Sequence, residues 1–382
     1  MTKTAKGNIG LVLSGGGARS AYQVGVITAI AGMLPKGCAN PFSVMTGTSA
    51  GSIVAAVLSS NALAFHRGVR RLEGFWRNMH TNLIYKTDTA SALRSFASFT
   101  WAILRGNPGS GHALSILDNS PLRAVLEHHV RFTRIRQAIT SGAMDAVGIN
   151  VSGYTSARAV CFFEGQPELH GWERARREGR RTDLNLNHLM ASIAIPLIFP
   201  AVRIGPEYFG DGSMRSFSPL SPAIHLGADR LLIISLRDER PNPVHEDADP
   251  SPPSFGQMLG YVMDALFMDS LQADLERLRR INQTLLFVPG GELRGESAIL
   301  KRIETLVVKP SQDIREIANE HANEFPRTVR FLLRSLGAKG SGGGQLVSFL
   351  LFEPGYCNAL IDLGYEDAMV KRDEILPFLG YD

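Results

Sequence analysis

The chain is organised around one segment, Val44-Met45-Thr46-Gly47-Thr48-Ser49-Ala50-Gly51-Ser52. Its apolar first half predicts a buried strand, and the Ala/Val-rich residues after it predict a helix over residues 52–59. A sharp reversal between the two strains the backbone of the serine, and only small neighbours such as Gly47 and Gly51 leave room for it. The pattern predicts a nucleophile elbow, with Ser49 exposed at the sheet edge and a helix N-terminus favouring negative charge beside it.

A glycine loop near the N-terminus forms a second turn of this kind. An apolar run at residues 10–13 predicts a strand, Gly15-Gly16-Gly17 follow, and a helical pattern begins at Ala21. Consecutive glycines let backbone N–H groups turn inward together, so the loop suits a phosphate or an oxyanion, or is a tight turn without a ligand. A dinucleotide site is disfavoured, because Ser20 replaces the third glycine of that fingerprint and no ribose-binding acid follows about 20 residues later.

A third feature is the run Tyr208-Phe209-Gly210-Asp211-Gly212-Ser213-Met214, in which hydrophobic residues are followed by an acid and a glycine. Taken alone, Asp211-Gly212 is typical of a hairpin turn. The residues after it predict a helix over 219–226 and a strand over 229–236, which together add a βαβ unit to a parallel sheet.

The remaining pattern predicts a large α/β protein with a C-terminal extension. We expect a catalytic core over residues 7–240 and, over 241–382, an extension of helices and strands packed on that core. The Pro-rich run at 241–253 predicts a linker or exposed loop between them. Further expected elements are strands at 144–151, 157–163 and 285–288, and helices at 65–79, 118–126, 184–194, 255–281 and 312–336.

Composition limits the compartment and the partners. The chain has 382 residues, a formal net charge of +4 and three cysteines, which predict buried, reduced thiols in a cytoplasmic protein without an export signal. The longest apolar passage, 190–202, is too short to span a membrane and contains two prolines. The basic run at 174–181 lacks interleaved aromatic residues, so we expect a solvated loop and no nucleic-acid partner, and an anionic membrane surface stays open.

The three motifs, taken in order, closely resemble those of the patatin-like phospholipases, a family of lipid acyl hydrolases. The resemblance extends to Leu117-Asp-Asn-Ser-Pro-Leu122, Ala191-Ser-Ile-Ala-Ile-Pro196 and residues 220–228, and it covers roughly residues 9–236. It implies a three-layer α/β/α fold with a central, mainly parallel sheet. Two positions depart from the family pattern. Ser20 stands where the family usually has Gly, and Ser213 stands where it usually has Gly or Ala.

The resemblance also implies roles for these residues. Ser49 is the implied nucleophile and Asp211 its base, and the backbone N–H groups at Gly15, Gly16, Gly17 and Ala18 form the oxyanion hole. Arg19, Gly47, Gly51 and Gly212 support the motifs. The chemistry agrees, because a serine needs a base and preformed donors for the oxyanion, and an apolar surrounding at Phe209 and 195–199 would raise the proton affinity of the carboxylate.

The implied function is hydrolysis of lipid esters, of phospholipase A or lysophospholipase type. No metal or organic cofactor is expected, and the sequence leaves protein partners unknown and a peripheral membrane surface open. The alternatives are an acyltransferase or thioesterase with the same dyad, a non-catalytic lipid-binding scaffold, and a nucleotide-binding protein, which would lack both a P-loop lysine and a ribose acid. The segment 93–104, with Phe96, Phe99 and Trp101, is either core or a lipid-facing cap.

Overall fold

The structure is a computed structural model that describes residues 7–87, 115–238, 252–294, 299–337 and 344–381. Within these ranges a ten-stranded sheet has the order β12-β9-β1-β2-β3-β4-β6-β5, with β8 paired to β3 and β7 to β8. The strands are β1 (Ile9–Leu13), β2 (Val44–Thr48), β3 (Ala146–Gly153), β4 (Ala159–Gly165), β5 (Trp172–Arg174), β6 (Arg177–Arg181), β7 (Val202–Ile204), β8 (Glu207–Asp211), β9 (Arg230–Ile234), β10 (Glu292–Arg294), β11 (Ile299–Lys301) and β12 (Glu304–Val308).

Helices cover both faces of the sheet. They are α1 (Ala21–Met33), α2 (Ala50–Ser59), α3 (Phe65–Arg77), α4 (Thr81–Ile84), α5 (Ser120–His129), α6 (Phe132–Thr140), α7 (Leu186–Ser192), α8 (Ser221–His225), α9 (Phe255–Asp264), α10 (Ser270–Leu285), α11 (Ile314–His321), α12 (Arg327–Ser335), α13 (Gly344–Leu350), α14 (Pro354–Val370) and α15 (Arg372–Leu379).

Alternate residues of β1 show the layering. Leu11 and Leu13 belong to the large apolar core that includes α1, α2 and α3, whereas Val12 belongs to a second core with α8 and α10. Because successive strand side chains point to opposite faces, the sheet is covered on both sides. The strands from β12 to β3 run parallel and β4 is antiparallel to β3. The expected three-layer α/β/α fold with a mainly parallel sheet is confirmed.

The structure corrects five local expectations. The helix expected at 312–336 is two helices, Ile314–His321 and Arg327–Ser335. Residues 285–288 end α10 and turn, with Phe287 88% exposed, so the last parallel strand is β12 instead. Asp211 ends β8 and Gly212 begins a short 3-10 helix, so the pair does not close a hairpin. The helix expected at 255–281 is interrupted by a π-helical turn at Ala265–Asp269. The basic run expected as a loop forms the β5–β6 hairpin.

Residues after 252 complete the core. Strand β12 pairs in parallel with β9, and α14 crosses α1 so closely that a Cβ atom at Gly25 would lie 2.0 Å from the Ile361 carbonyl oxygen. A Cβ at Gly364 would lie 2.2 Å from the Tyr22 carbonyl oxygen. The division at residue 240 stays a proposal, and the C-terminal residues share the main hydrophobic core with residues 9–85.

Several expectations concern residues outside the described ranges. They are the aromatic segment at 93–104 and residues 241–251 of the expected linker. In the parts of the chain that the structure does describe, no single helix is long and apolar enough to cross a membrane. One bent pair, α13 with α14 at 93°, meets that length and composition test together.

Candidate active site

Ser49 lies at the tight junction of β2 and α2, with φ 52° and ψ −130°. A positive φ is rare for residues other than glycine, and backbone strain of this kind is concentrated at functional sites. A Cβ atom at Gly47 would lie 2.5 Å from the Gly51 carbonyl oxygen, and one at Gly51 would lie 2.4 Å from that of Leu13. The two glycines are therefore required by the turn, and α2 begins at Ala50, earlier than expected.

The backbone of Ser49 is held from both sides. Its N–H donates to the Ser192 hydroxyl oxygen at 2.9 Å, and that hydroxyl donates to the Asn150 carbonyl at 2.7 Å. The Ser49 carbonyl accepts from the N–H and the hydroxyl of Ser52. Ser49 is only 2% exposed, so the expectation of an exposed serine is wrong. Sequence reasoning assigned no role to Ser192, and its only signal was its place in the run at 191–196.

Replacing Ser192 by Ala is expected to lower the free energy of unfolding by about 1–3 kcal/mol, because the buried Ser49 N–H loses its acceptor. Chemical denaturation of the two proteins measures the difference. Ser59→Ala is the matched control, since that buried hydroxyl donates only to the sulfur of Met45 and its loss should cost less. Equal effects of the two substitutions would contradict a specific role for Ser192.

Asp211 reaches the same place along the edge of β3 that β2 also occupies, because β4 fills the opposite edge. The end of β2 pairs Thr48 with Asn150, and the next residue of β3, Val151, pairs with Asp211 at the end of β8. A Cβ atom at Gly212 would lie 2.3 Å from the Asn150 carbonyl oxygen, so only glycine lets the chain turn here. Strand order thus brings together two motifs that lie far apart in the sequence.

The carboxyl group of Asp211 is buried, with 1% exposure, and burial raises its pKa to about 6. The nearby Ser49 hydroxyl and the Ser213 N–H, which donates to Oδ1 at 2.9 Å, partly oppose that rise. Oδ2 makes no hydrogen bond of good geometry to another described residue. The Ser49 hydroxyl nevertheless lies close enough to lower the pKa of the carboxyl group. A buried carboxylate with a raised pKa and one open oxygen can accept a proton.

Histidines lie elsewhere in the described part of the chain. None of them hydrogen-bonds Ser49 or Asp211 there. His225 packs on Trp172, with ring centroids 4.8 Å apart, and burial together with Arg174 and Arg177 lowers its pKa to about 4.

The glycine loop turns directly into a helix. Gly16 is extended with φ 178°, and Gly17, with φ 55°, begins a 3-10 helix over Gly17–Ser20 that leads into α1. A Cβ atom at Gly17 would lie 2.2 Å from the Phe349 carbonyl oxygen, and one at Gly16 would lie 2.3 Å from Leu236 Cδ1. The N–H groups of Gly16, Gly17 and Ala18 donate to no other described residue, so they are available to an anion.

Arg19 anchors this loop to the C-terminal part of the chain. Its buried guanidinium group pairs with Asp264 at 3.0 Å and donates to the Ser348 hydroxyl at 2.9 Å. Its central carbon lies 3.8 Å from the centre of the Phe349 ring, a cation–π contact. Arg19 therefore stabilises the loop through its contacts with the C-terminal part of the chain.

An apolar cavity links the serine to the glycine loop. It measures about 30 Å³, room for about two water molecules, so an acyl chain could enter only if the lining side chains moved apart. Its lining is Gly17, Ser49, Ala50, Ile53, Trp76, Met79, Ile84, Leu122, Ile193, Ile195, Phe199, Phe349, Leu350 and Phe352. Among the described residues, no group of three or more His, Cys, Asp and Glu side chains is placed to hold a metal ion.

Comparison with known proteins gives one family. The family model described as patatin-like phospholipase matches residues 11–224, more than half of the chain. No curated protein matches the chain significantly. Among solved structures, VipD from Legionella pneumophila is similar over 97% of this chain and 68% of its own, with 12% identity and a TM-score of 0.38. Human GIVD cytosolic phospholipase A2, solved in complex with methyl gamma-linolenyl fluorophosphonate, is similar over 99% of this chain and 60% of its own, with 13% identity and a TM-score of 0.44.

Proposed function

Because this chain belongs to the patatin-like phospholipase family, we propose that it is a lipid acyl hydrolase of phospholipase A or lysophospholipase type, with Ser49 as nucleophile and Asp211 as base. One observation carries the proposal. A strained serine and a buried carboxyl group with a pKa of about 6 meet beside an apolar cavity that the glycine loop also lines. The apolar lining suits an acyl chain once its side chains move apart, and a raised pKa suits a base that works near neutral pH.

The reaction proceeds in two halves. In the first, Asp211 Oδ2 accepts the Ser49 hydroxyl proton as the serine oxygen attacks the ester carbonyl carbon, and the carbonyl π pair moves onto oxygen. Collapse of this intermediate breaks the bond to the alcohol, which leaves with the proton from Asp211. In the second half, water gives its proton to Asp211 and attacks the acyl-enzyme, and the fatty acid departs as the proton returns to Ser49.

The glycine loop is the proposed oxyanion hole. The N–H groups of Gly16 and Gly17, together with that of Ala18, lie at the start of a helix and have no acceptor among the described residues. Preformed donors of this kind stabilise the charge that develops on the carbonyl oxygen. Gly15 allows close packing, because a Cβ atom there would lie 2.8 Å from the ring of Phe267 and from the Ser213 hydroxyl oxygen.

Gly17→Ala is expected to lower kcat about a hundred- to a thousandfold, because the new methyl group collides with the Phe349 carbonyl and moves the N–H donors. Gly37→Ala is the matched control, since Gly37 also has a positive φ of 80° but nothing lies within 4 Å of its Cβ position. Steady-state hydrolysis of a soluble ester compares the two. If folded Gly17→Ala protein kept the rate of the Gly37→Ala control, the hole would lie elsewhere.

One experiment tests activity and substrate together. Wild-type and Ser49→Ala proteins are incubated with a mixed lipid extract, and mass spectrometry follows free fatty acid and lysolipid. Release by the wild type alone supports hydrolysis, whereas transfer of acyl chains to an alcohol or release from thioesters supports the rival enzymes. If no product forms and a fluorophosphonate probe does not label Ser49, the result supports a non-catalytic lipid-binding scaffold instead.

Peripheral attachment to membranes and a cytoplasmic location complete the proposal, because the substrate is a lipid. The aromatic residues first expected at the membrane, Phe96, Phe99 and Trp101, lie outside the described residues. Flotation of the protein with phospholipid vesicles checks the attachment, and protein that stays at the bottom of the gradient at low salt would exclude it.

A further inference from the structure

A second cavity, of about 420 Å³, lies on the far side of the turn at Asp211–Ser213. It is bounded by the β5–β6 hairpin, by the turn after β8 and by the start of α8, and it borders Asn150 and Gly212. Five arginines line it, namely Arg174, Arg176, Arg177, Arg215 and Arg277, and we call this cavity the arginine pocket. Its volume falls in the range of small-molecule sites.

Few acids balance this charge. Arg277 is paired with Asp274 at 3.2 Å, and Glu178, which also lines the pocket, pairs with Arg158 and Arg180 outside it. In the described part of the chain, Arg176, Arg177 and Arg215 form neither an ion pair nor a hydrogen bond through their side chains. A concave site thus holds three guanidinium groups without a direct ion-pair partner, a concentration of positive charge that attracts anions.

The buried neighbours respond to this charge. His225 lies beside the pocket wall, and after burial the largest causes of its lowered pKa are Arg174 and Arg177. Arg177 also lowers the pKa of the buried Asp274. The charge of Arg177 therefore acts on two buried groups next to the pocket.

We propose that the arginine pocket binds a phosphate group, carried by a lipid headgroup or by a free phosphorylated molecule. Guanidinium groups present planar pairs of N–H donors that match the oxygens of phosphate, and three of them can neutralise a doubly charged phosphomonoester. Trp172, stacked on Phe163 with 5.4 Å between ring centroids, forms an apolar wall beside the charged groups. The site does not depend on hydrolysis, because Ser49 does not line it.

Binding is measured on the Ser49→Ala protein, so that lipids remain intact. The soluble probe is inorganic pyrophosphate, and its binding is followed by calorimetry and by tryptophan fluorescence, to which Trp172 contributes. The membrane probe is phosphatidylcholine vesicles with and without phosphatidic acid. Arg177→Ser combined with Arg215→Ser removes two of the uncompensated charges, and Arg176→Asn removes the third while keeping a residue type that tolerates its φ of 59°. Arg67→Ser, on the exposed surface of α3, is the matched control.

We expect saturable binding of one pyrophosphate per chain, weakened about a hundredfold in the double variant and about tenfold in Arg176→Asn, and unchanged in Arg67→Ser. Binding of pyrophosphate identifies a free phosphorylated ligand, and binding only to vesicles that contain phosphatidic acid identifies a lipid headgroup. Wild-type affinity in folded double variant and Arg176→Asn protein, or no binding of either probe, would overturn the proposal. Because hydrolysis is not measured, this result is independent of the outcome at Ser49.

Discussion

Ser49→Ala is expected to reduce ester hydrolysis by at least about four orders of magnitude while the protein stays folded. In the proposed mechanism the substitution removes the atom that forms the acyl-enzyme, so no weakened version of the same pathway remains. It removes little volume, and the backbone hydrogen bonds to Ser192 and Ser52 do not involve the side chain. The rate is measured with a soluble fluorogenic ester and the fold by circular dichroism.

Ser59→Ala serves as the control for this result, because it removes a buried hydroxyl from the other end of the same helix. Its hydrolysis should stay near that of the wild type. Turnover by Ser49→Ala within about tenfold of the wild type would show that another group forms the covalent bond, or that water attacks the ester directly.

Asp211→Asn is expected to lose activity by a comparable factor, because the amide keeps the shape of the carboxylate but accepts no proton at the working pH. For the wild type, kcat/KM should fall as the pH drops through about 6, where Asp211 becomes protonated and can no longer act as a base. The pH profile of hydrolysis between pH 4.5 and 8 measures this. A profile without inflection near the pKa of Asp211 would move the base to another residue.

Asp145→Asn is the matched control for that substitution, since burial also raises the pKa of Asp145 but its strand end lies at the opposite end of β3 from Asp211. It should retain hydrolysis. His225→Ala should also retain most activity, because the ring packs against Trp172 on the other face of the sheet. A folded His225→Ala protein as inactive as Ser49→Ala would replace the dyad with a triad.

The same aspartate has an opposite effect on stability. Its pKa rises from 3.8 when unfolded to about 6 when folded, so ionisation is harder in the native state. The free energy of unfolding therefore falls as the pH rises between these values, by about 3 kcal/mol at most. At pH 7, Asp211→Asn should unfold at higher denaturant concentration than the wild type, and the difference should vanish below pH 4.

Sequence reasoning predicted the parts of this protein whose signals are local. Gly47 and Gly51 around Ser49 indicate a tight strand-to-helix turn, and apolar runs of strand length predict β1, β2 and β9 because parallel strands are buried on both faces. The three motifs also contain the candidate site residues, and the strand pairing shows that Thr48 and Asp211 meet along the same edge of β3.

What the sequence did not predict depends on contacts between distant residues. Nothing in the local pattern of Ser192 shows that its hydroxyl accepts from the Ser49 N–H across 143 positions. The run at 285–288 has strand-like residues, but α10 continues to Leu285, and β12 takes the edge because it pairs with β9. The sequence predicted a solvated loop for the arginines of the β5–β6 hairpin. Their pocket could not be predicted because Arg215 and Arg277, which also line it, are distant in sequence.

The anchoring of the glycine loop also sets an order of events during synthesis. Gly17 and Arg19 are synthesised well before the groups that pack against them, Asp264, Ser348 and Phe349. The nascent chain can form β1, β2 and the elbow early, but the loop lacks its support until residue 349 emerges. A ribosome-stalled chain ending before that residue should therefore show no ester hydrolysis if the glycine loop is the oxyanion hole.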